Sequence, residues 1–449
     1  MLKNAFTFLS AFVYGYPLTM SLLWVAGSLL FEFFRRLDGI QELILQDILR
    51  LDTEDAKTRD LSPDDKIPPV SIIVPCHNES ETITETVEGL LKLNLGTFEI
   101  ILVNDCSRDN TLALMMALQE KHAHAPIRIV NLTINQGKGC GMTVGAMVAR
   151  HEFVMGIDAD AVLEPDCIRH LLWHMKNDTD VGAVTGNPKI RNRTNITAKV
   201  QVGEFASIIG MIKRTQRLLG VVYCASGVVT LFRKRALLEA GFWSNDMITE
   251  DIDVSWKIQL LGWNLPYEPD AVCWILMPET IKGVFGQRFR WAQGGNEVLL
   301  KYWRQMLDWR NARMWPLYGE YATALVWCHT FFLLGIWAVV DFASNGKMDQ
   351  NYNLNVALLL ALATLIQFSI GLFLDRKHDR NLHRVVGYLV LYPLYYWTIN
   401  TVCTVASLPK ALMKKRGQAA VWNSPDRGLR SDGTLVSDKS GEMPKETAR

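Results

Sequence analysis

The chain has 449 residues, of which 49% are hydrophobic and 21% charged, and its formal net charge is +1. This near-neutral balance gives no electrostatic reason to expect nucleic acid as a partner. The eight cysteines show no C-x-x-C spacing, which predicts reduced, packed thiols and argues against a disulfide framework or a zinc site.

Four apolar blocks are long enough to cross a membrane. The first, residues 6–34, is followed directly by Arg35 and Arg36, and it predicts an N-terminal transmembrane helix within residues 1–36. Because basic residues stay in the cytosol, the preceding end of the chain is expected outside. Three C-terminal transmembrane segments are predicted within residues 316–410, and their apolar blocks are residues 317–340, 356–374 and 385–408. The alternative is a set of buried helices in a large globular core, which three Trp- and Tyr-rich blocks in succession disfavour.

The charges near the C-terminal spans conflict with the number of spans. A cytosolic domain followed by three crossings places the polar tail, residues 411–449, outside, whereas Lys410 and Lys414 favour the cytosol. Pro393 offers a solution, because it could divide the last block into a re-entrant or interfacial pair. We expect the basic loop at residues 376–384 to be cytosolic and leave the side of the tail open.

An amphipathic helix and a linker, residues 37–69, precede a predicted α/β domain that covers residues 70–280. Apolar strands alternate there with helical patterns, which predicts a doubly wound, mostly parallel sheet with ligands at the carboxyl ends of its strands. The domain has neither a G-x-G-x-x-G nor a G-x-x-x-x-G-K-[ST] sequence, so neither a dinucleotide fold nor a P-loop is supported. The predicted strands are residues 70–74, 98–103, 127–131 and 153–157.

Polar residues follow successive strands of this domain. They are Asn78 with Glu79, Asp105, Lys138 in a glycine-bracketed turn, and Asp158 with Asp160. Two carboxylates at positions i and i+2 after a buried strand suit a hard cation such as Mg²⁺ or Mn²⁺. An Asp at a strand tip can bind a base or ribose, and a lysine in such a turn can approach a diphosphate. Turns and helix caps explain each residue alone, but their recurrence at successive strand ends favours a shared site.

Two further motifs lie farther along the chain. Glu250 and Asp251 stand at a predicted helix start, where they are either a general base with its neighbour or acids favoured by the helix dipole. Gln287, Arg290 and Trp291 lie in predicted interface helices and offer an amide, a guanidinium and an aromatic plate for a diphosphate and a sugar. Interfacial anchoring is their alternative role. The interface helices are predicted over residues 281–315.

Together these residues resemble the processive family 2 glycosyltransferases, a group that includes cellulose, chitin and hyaluronan synthases. The shared pattern comprises Asp105, the D-x-D of residues 158–160, the T-E-D of residues 249–251 and the Q-x-x-R-W of residues 287–291. The resemblance is closer still to bacterial poly-β-1,6-N-acetylglucosamine synthases, which make a biofilm exopolysaccharide. The stretches that carry it are residues 185–188, 207–216, 247–256, 274–280 and 290–295.

The resemblance implies a GT-A-type fold and a role for each motif residue. Asp160 would ligate Mg²⁺ or Mn²⁺, and Asp251, with Glu250 beside it, would be the general base of an inverting transfer. Arg290, Gln287 and Trp291 would hold the leaving UDP and the acceptor sugar. The residues implied to contact UDP-GlcNAc are Asn78, Glu79, Asp105, Lys138 and Asp158.

The resemblance also implies a place and partners for the protein. It predicts a multi-pass protein of the bacterial inner membrane, with a cytoplasmic catalytic domain, that polymerises N-acetylglucosamine and helps to export the glucosamine polymer through the lipid bilayer. A small membrane partner subunit and control by cyclic-di-GMP are implied as well. The alternatives are another β-glycan synthase of the chitin, hyaluronan or cellulose type, a lipid glycosyltransferase, or a membrane transporter with an accessory cytosolic domain. Almost no ionisable residue lies within the C-terminal spans, which disfavours the transporter.

Overall fold

One mixed β-sheet of eight strands forms the centre of the molecule, in the order β3-β2-β1-β4-β7-β6-β8-β5. The structure is a computed structural model, and it describes residues 2–49, 67–346, 354–393, 397–414 and 417. Most of the predicted linker and of the polar tail therefore lies outside the described residues. The strands are β1 Val70–Cys76, β2 Phe98–Asp105, β3 Ile127–Leu132, β4 Phe153–Gly156, β5 Val162–Leu163, β6 Ala183–Ile190, β7 Thr230–Arg233 and β8 Tyr267–Ile275.

The sheet is parallel on one side and mixed on the other. Strands β3, β2, β1 and β4 pair in parallel, and β7 then pairs antiparallel with both β4 and β6. The first four strands are Val- and Ile-rich and have helices on their faces, which is the pattern of a parallel sheet buried on both sides. The predicted α/β class is confirmed, and the carboxyl ends of β1, β2 and β4 meet at one edge as expected.

Thirteen α-helices accompany the sheet in the described part of the chain. Helix α4 begins at Lys138, because Gly137 adopts a φ of +86° that lets the chain turn sharply into the helix. A π-helix, Phe205–Ile209, joins α6 to α7. The helices are α1 Leu2–Leu49, α2 Ile83–Leu90, α3 Thr111–Lys121, α4 Lys138–Val148, α5 Cys167–Asn177, α6 Ile196–Glu204, α7 Gly210–Leu218, α8 Lys234–Glu239, α9 Glu250–Leu260, α10 Ile281–Tyr302, α11 Trp315–Asn345, α12 Leu354–Asp375 and α13 Thr398–Met413.

Three helical segments of the described chain are long and apolar enough to span a membrane: Thr7–Asp38, Trp309–Asn345 and Leu358–Asp375. The first belongs to α1, which continues without a break into the segment predicted as a separate amphipathic helix. The last apolar block, residues 385–408, forms two elements, a 3-10 helix Leu382–Leu391 and α13. Pro393 lies between them, as the proline-based division of this block predicted. Helix α13 packs along α10, where Asn296 Nδ2 donates to Ser407 Oγ at 3.1 Å.

A buried ionic cluster joins α1 and α12 to the sheet. Arg35, near the end of the apolar part of α1, pairs with Glu268 of β8 at 2.8 Å and with Asp270. Asp375, the last residue of α12, pairs with Lys189 of β6 and lies 3.4 Å from Arg214. Because these ion pairs join the candidate membrane spans to the sheet, the end of the apolar part of α1 and the C-terminal end of α12 both lie next to the sheet domain.

We expect Asp375→Asn to lower the free energy of unfolding by about 3–5 kcal/mol, because it leaves Lys189 and Arg214 buried beside a neutral partner. The side chains of Lys189, Arg214 and Asp375 are at most 3% exposed. The measurement is the thermal midpoint of the detergent-solubilised protein. Glu239→Gln, which breaks the exposed pair of Glu239 with Arg235, is the control and should cost less than about 1 kcal/mol. Equal midpoints for the two variants would contradict the prediction.

Candidate active site

A cavity of about 660 Å³ opens at the sheet edge where β1, β2 and β4 end. It is closed on the opposite side by α10 and extends between α1, α11 and α13. Ten of the eleven residues predicted for the site line its wall. They are Glu79, Asp105, Lys138, Asp158, Asp160, Glu250, Asp251, Gln287, Arg290 and Trp291. The four motifs, which are spread over almost 190 residues of sequence, therefore meet in one place.

Asn78 is not among the lining residues of this cavity. Its φ of +58° lies in the left-handed region, which asparagine tolerates better than most residues. Its side-chain Oδ1 accepts the backbone N–H of Arg108 at 2.8 Å, and its own N–H donates to Ser107 Oγ. These contacts tie the loop after β1 to the loop after β2. Glu79, the next residue, is buried and does reach the cavity wall.

Asp105 at the tip of β2 holds the turn that leads into α4. Its Oδ1 accepts the N–H of Gln136 at 2.9 Å and its Oδ2 accepts the N–H of Gly137 at 2.8 Å. The side chain is only 3% exposed, so the two bonds also satisfy a buried charge. The sequence predicted a nucleotide contact for Asp105 and did not predict this hold on the turn that carries Lys138.

Lys138 lies between acids from two distant motifs. Its Nζ is 2.6 Å from Asp158 Oδ1 and 3.2 Å from Glu250 Oε1. Burial alone would lower the pKa of Lys138, but the carboxylates of Asp158, Glu250 and Asp251 together raise this pKa above its ordinary value. Burial has the reverse effect on the carboxyl group of Glu250: it raises the pKa, and the charge of Lys138 opposes this rise. The ammonium therefore stays charged and links the D-x-D motif to the T-E-D motif.

Asp251 stands in the first turn of α9 with its carboxylate in the cavity wall. Its Oδ2 lies 3.6 Å from Cys224 Sγ, and its Oδ1 accepts the N–H of Ile252. Gly227 leaves room beside it, since a Cβ at that position would lie 3.3 Å from Asp251 Oδ2 and 3.1 Å from Lys138 Nζ. Burial, and then the charge of Asp251, raise the pKa of the Cys224 thiol, which keeps this neighbour neutral.

The Q-x-x-R-W motif lies on α10, across the cavity from these acids. Gln287 is 6% exposed, and its Oε1 has no hydrogen-bond partner among the described residues. A buried acceptor without a donor is costly, so this oxygen is available to a ligand. Burial lowers the pKa of Arg290, and the carboxylates of Glu250, Asp251 and Asp158 oppose this shift. The guanidinium stays charged, because its ordinary pKa is far above neutral pH.

Several cavity residues were not singled out in the sequence. Lys213 of α7 is buried, and burial lowers its pKa to about 8, a shift that the Asp251 carboxylate partly opposes. Its Nζ lies 3.4 Å from Thr185 Oγ1. The residues that the apolar helices add are Tyr16, Trp24, Leu317, Glu320, Tyr321, Ala324, Asn400 and Thr404. These residues form no motif in the sequence of the apolar helices, so only the packing of those helices shows that they line the cavity.

The carboxylates at the end of β4 fit a divalent cation held partly by a substrate. No group of three or more His, Cys, Asp or Glu side chains in the described residues is arranged to hold a metal. Asp158 and Asp160 nevertheless line the cavity together. Mg²⁺ usually binds through one or two carboxylates and completes its shell with water and substrate phosphates. This donor set therefore suits a metal–diphosphate complex better than a metal held by protein alone.

Comparison with known proteins places this geometry in a family. The model of the family described as "Glycosyltransferase like family 2" matches residues 68–294, which include the sheet and all four motifs. The chain belongs to glycosyltransferase family 2. The membership that the D-x-D, T-E-D and Q-x-x-R-W sequences of this glycosyltransferase predicted is therefore confirmed.

Two curated relatives are similar to this glycosyltransferase over almost its whole length. Both are named poly-beta-1,6-N-acetyl-D-glucosamine synthase. The protein from Staphylococcus epidermidis is 37% identical over 424 residues, which cover 93% of this chain and 98% of the relative. The protein from Staphylococcus aureus (strain COL) is 37% identical over 421 residues, with the same two coverages.

A solved structure supports the predicted GT-A-type fold. A mannosyltransferase from Pyrobaculum calidifontis, in complex with GDP-Man and Mn²⁺, is similar to this glycosyltransferase with a TM-score of 0.59. The similarity covers 88% of this chain and 100% of the mannosyltransferase, at 19% sequence identity. At that identity the likeness concerns the fold alone.

Proposed function

We propose that this chain is an inverting, membrane-embedded hexosyltransferase that polymerises N-acetylglucosamine from UDP-GlcNAc into a β-1,6-linked exopolysaccharide. The observation that carries the proposal is the meeting of Asp105, Asp160, Asp251 and Arg290 in the wall of one cavity. The similarity to the two staphylococcal synthases supports the choice of sugar and linkage.

The reaction is a single displacement at the anomeric carbon of the donor sugar. Asp251 accepts the proton of the acceptor hydroxyl, whose oxygen forms the new bond to the anomeric carbon as the bond to the UDP oxygen breaks. Attack from the face opposite the leaving group converts an α-linked donor into a β-linked product. One base suffices and no protein nucleophile is needed, which agrees with an Asp at the cavity wall beside a thiol that burial keeps protonated.

The leaving diphosphate carries the charge that grows in the transition state. Lys138 and Arg290 line the cavity and can offset that charge. When bound, Mg²⁺ or Mn²⁺ would add Lewis-acid stabilisation at the diphosphate, held by Asp160 with Asp158 beside it. Gln287 can use its open Oε1 to accept a donor from the substrate, and Trp291 can lie against a sugar ring.

We further propose that the product leaves through the membrane half of the cavity. The cavity continues from the acids to Tyr16 and Trp24 of α1, Glu320 and Tyr321 of α11, and Asn400 of α13. Aromatic faces and scattered polar groups of this kind can bind a sugar chain while leaving it free to slide. This path supports the predicted role in export.

The course of the apolar helices supports a cytosolic sheet domain. Helix α1 enters from outside, α11 leaves the cytosol, and α12 returns to the ionic cluster, which makes three crossings. The last apolar block enters the membrane as a re-entrant pair, because Trp397 packs 6.0 Å from the ring of Trp327 in α11. Helix α13 then returns to the cytosolic side, where Lys414 donates to the Asp246 carbonyl and to Glu297 Oε2 at 2.7 Å. This arrangement reconciles the basic residues before the tail with a cytosolic location, because the last apolar block makes no full crossing. The protein would thus be a multi-pass protein of the bacterial inner membrane.

The experiment that tests the proposed function is the incubation of inside-out membrane vesicles with UDP-GlcNAc and Mg²⁺. We expect a polymer that a β-1,6-specific hexosaminidase degrades, and we expect part of it inside the sealed vesicles, which corresponds to the outside of the cell. Chitin, hyaluronan or cellulose as product would assign a different synthase of the family. Product found only in the outer solution would contradict export. A small membrane partner and cyclic-di-GMP control remain predictions, tested by adding each to the same vesicles.

A further inference from the structure

The Q-x-x-R-W motif contains a second arginine, Arg288, which the role of Arg290 does not explain. Its guanidinium carbon lies 4.3 Å from the centroid of the Trp291 ring, so the two side chains stack. They stand three residues apart on α10 and therefore share one face of the helix. Trp291 lines the cavity and packs against the main hydrophobic core.

Glu204 holds Arg288 from a different helix. Arg288 Nη2 donates to Glu204 Oε2 at 2.6 Å, and both side chains are 5% exposed. Glu204 is the last residue of α6, directly before the π-helix whose Phe205 and Ile209 also line the cavity. A buried ion pair of this geometry has few alternative arrangements, so it fixes the plane of the guanidinium and hence the ring stacked on it.

We propose that Glu204 and Arg288 are positioning residues that hold the indole of Trp291 as the platform for the acceptor sugar. An indole has two faces, and Arg288 covers one of them. The ring can then meet the sugar only with its remaining face or its edge, at an orientation that α6 and α10 set together. The inference rests on the proposed function, because it requires a sugar acceptor in the cavity.

The chain offers a control in which an arginine, a glutamate and an aromatic ring meet away from the cavity. Arg233 pairs with Glu152 at 2.7 Å and lies 5.3 Å from the Phe153 ring centroid. None of these three residues lines the cavity. The Arg233 guanidinium also donates to the carbonyls of Val181, Met175 and Asp178. A lysine substitution at Arg233 therefore measures what the loss of a stacked, hydrogen-bonded guanidinium does to the fold outside the cavity.

The test uses the full-length protein with UDP-GlcNAc and short soluble β-1,6-linked N-acetylglucosamine oligosaccharides as acceptors. Arg288→Lys keeps a positive charge beside Glu204 but removes the planar group that stacks on the indole. Glu204→Gln keeps the guanidinium and removes its anchor. We expect each to raise the acceptor KM about ten-fold, the scale of a desolvated cation–π contact, while the donor KM changes less than about two-fold.

A double-mutant cycle separates positioning from general destabilisation. In a Trp291→Leu background, Arg288→Lys should reduce acceptor use by less than about two-fold further, because the ring that it positions is gone. Arg233→Lys should leave both KM values unchanged. Additive losses in the cycle, or equal shifts of donor and acceptor KM, would overturn the inference. Failure of the wild-type protein to extend any oligosaccharide from UDP-GlcNAc would refute the proposed function instead.

Discussion

Asp251→Asn is expected to reduce polymer synthesis by about 10³-fold, within the range that a lost general base costs. The amide keeps the shape of the side chain but cannot accept the proton of the acceptor hydroxyl. The variant should bind UDP within about three-fold of the wild-type Kd, because Asp105, Lys138 and Asp158 remain in place. Calorimetric titration of UDP and a radiolabelled polymer assay provide the two measurements.

Asp253→Asn is the control for this substitution. Asp253 lies two residues on in the same helix, is fully buried, and bonds to Lys301 at 2.5 Å and Tyr302 at 2.9 Å, but it does not line the cavity. We expect its variant to be less stable while each folded molecule keeps most of its activity. An Asp251→Asn variant that loses UDP binding and synthesis in equal measure would show that Asp251 supports the structure and is not the base.

The second large effect is expected for Asp160→Ala. Removing this carboxylate should raise the concentration of Mg²⁺ or Mn²⁺ needed for half-maximal activity by at least about ten-fold and weaken UDP-GlcNAc binding in the presence of metal, since Asp160 would hold the cation that offsets the diphosphate charge. Binding of UDP measured in EDTA should be the same for the variant and the wild-type protein. That comparison isolates the metal contribution from any damage to the fold.

Asp166→Ala is the control, because Asp166 lies near Asp160 in the chain, after β5, but is about half exposed and accepts a hydrogen bond from Asn94 Nδ2 at 2.8 Å outside the cavity. It should leave the metal dependence unchanged. Wild-type activity that persists fully in EDTA would contradict a role for any divalent metal and would leave Lys138 and Arg290 as the counter-charges of the diphosphate.

The sequence allowed the parallel half of the sheet and most of the site to be predicted, because both depend on local patterns. An apolar run followed by a carboxylate marks a strand end, and parallel strands place their ends together, so Asp105 and Asp158 could be assigned to one edge. The antiparallel insertion of β7 between β4 and β6 could not be predicted. Strand pairing over such distances depends on tertiary packing, which periodicity does not encode.

The same limit explains the residues that were missed. Lys213 and Glu320 belong to no recognisable sequence motif. They line the candidate site only because α7 and α11 pack around the same cavity. Asn78 is the converse case, because its sequence context predicted a site residue but its side chain does not line the cavity. It stands beside Glu79 in a polar stretch after a strand, and sequence alone does not distinguish a side chain that faces the ligand from one that ties two loops together.

The two hydrogen bonds that Asp105 accepts from the turn before α4 connect the end of β2 to Lys138, the first residue of that helix. Without this carboxylate the Gln136 amide would lose its acceptor and the Gly137 amide would keep only Asn135 Oδ1 at 3.1 Å, so the turn that positions Lys138 would be less firmly held. In the proposed donor site, the position of Lys138 therefore depends on Asp105. If the proposed function holds, a change of nucleotide preference would require the tip of β2 and the turn before α4 to change together.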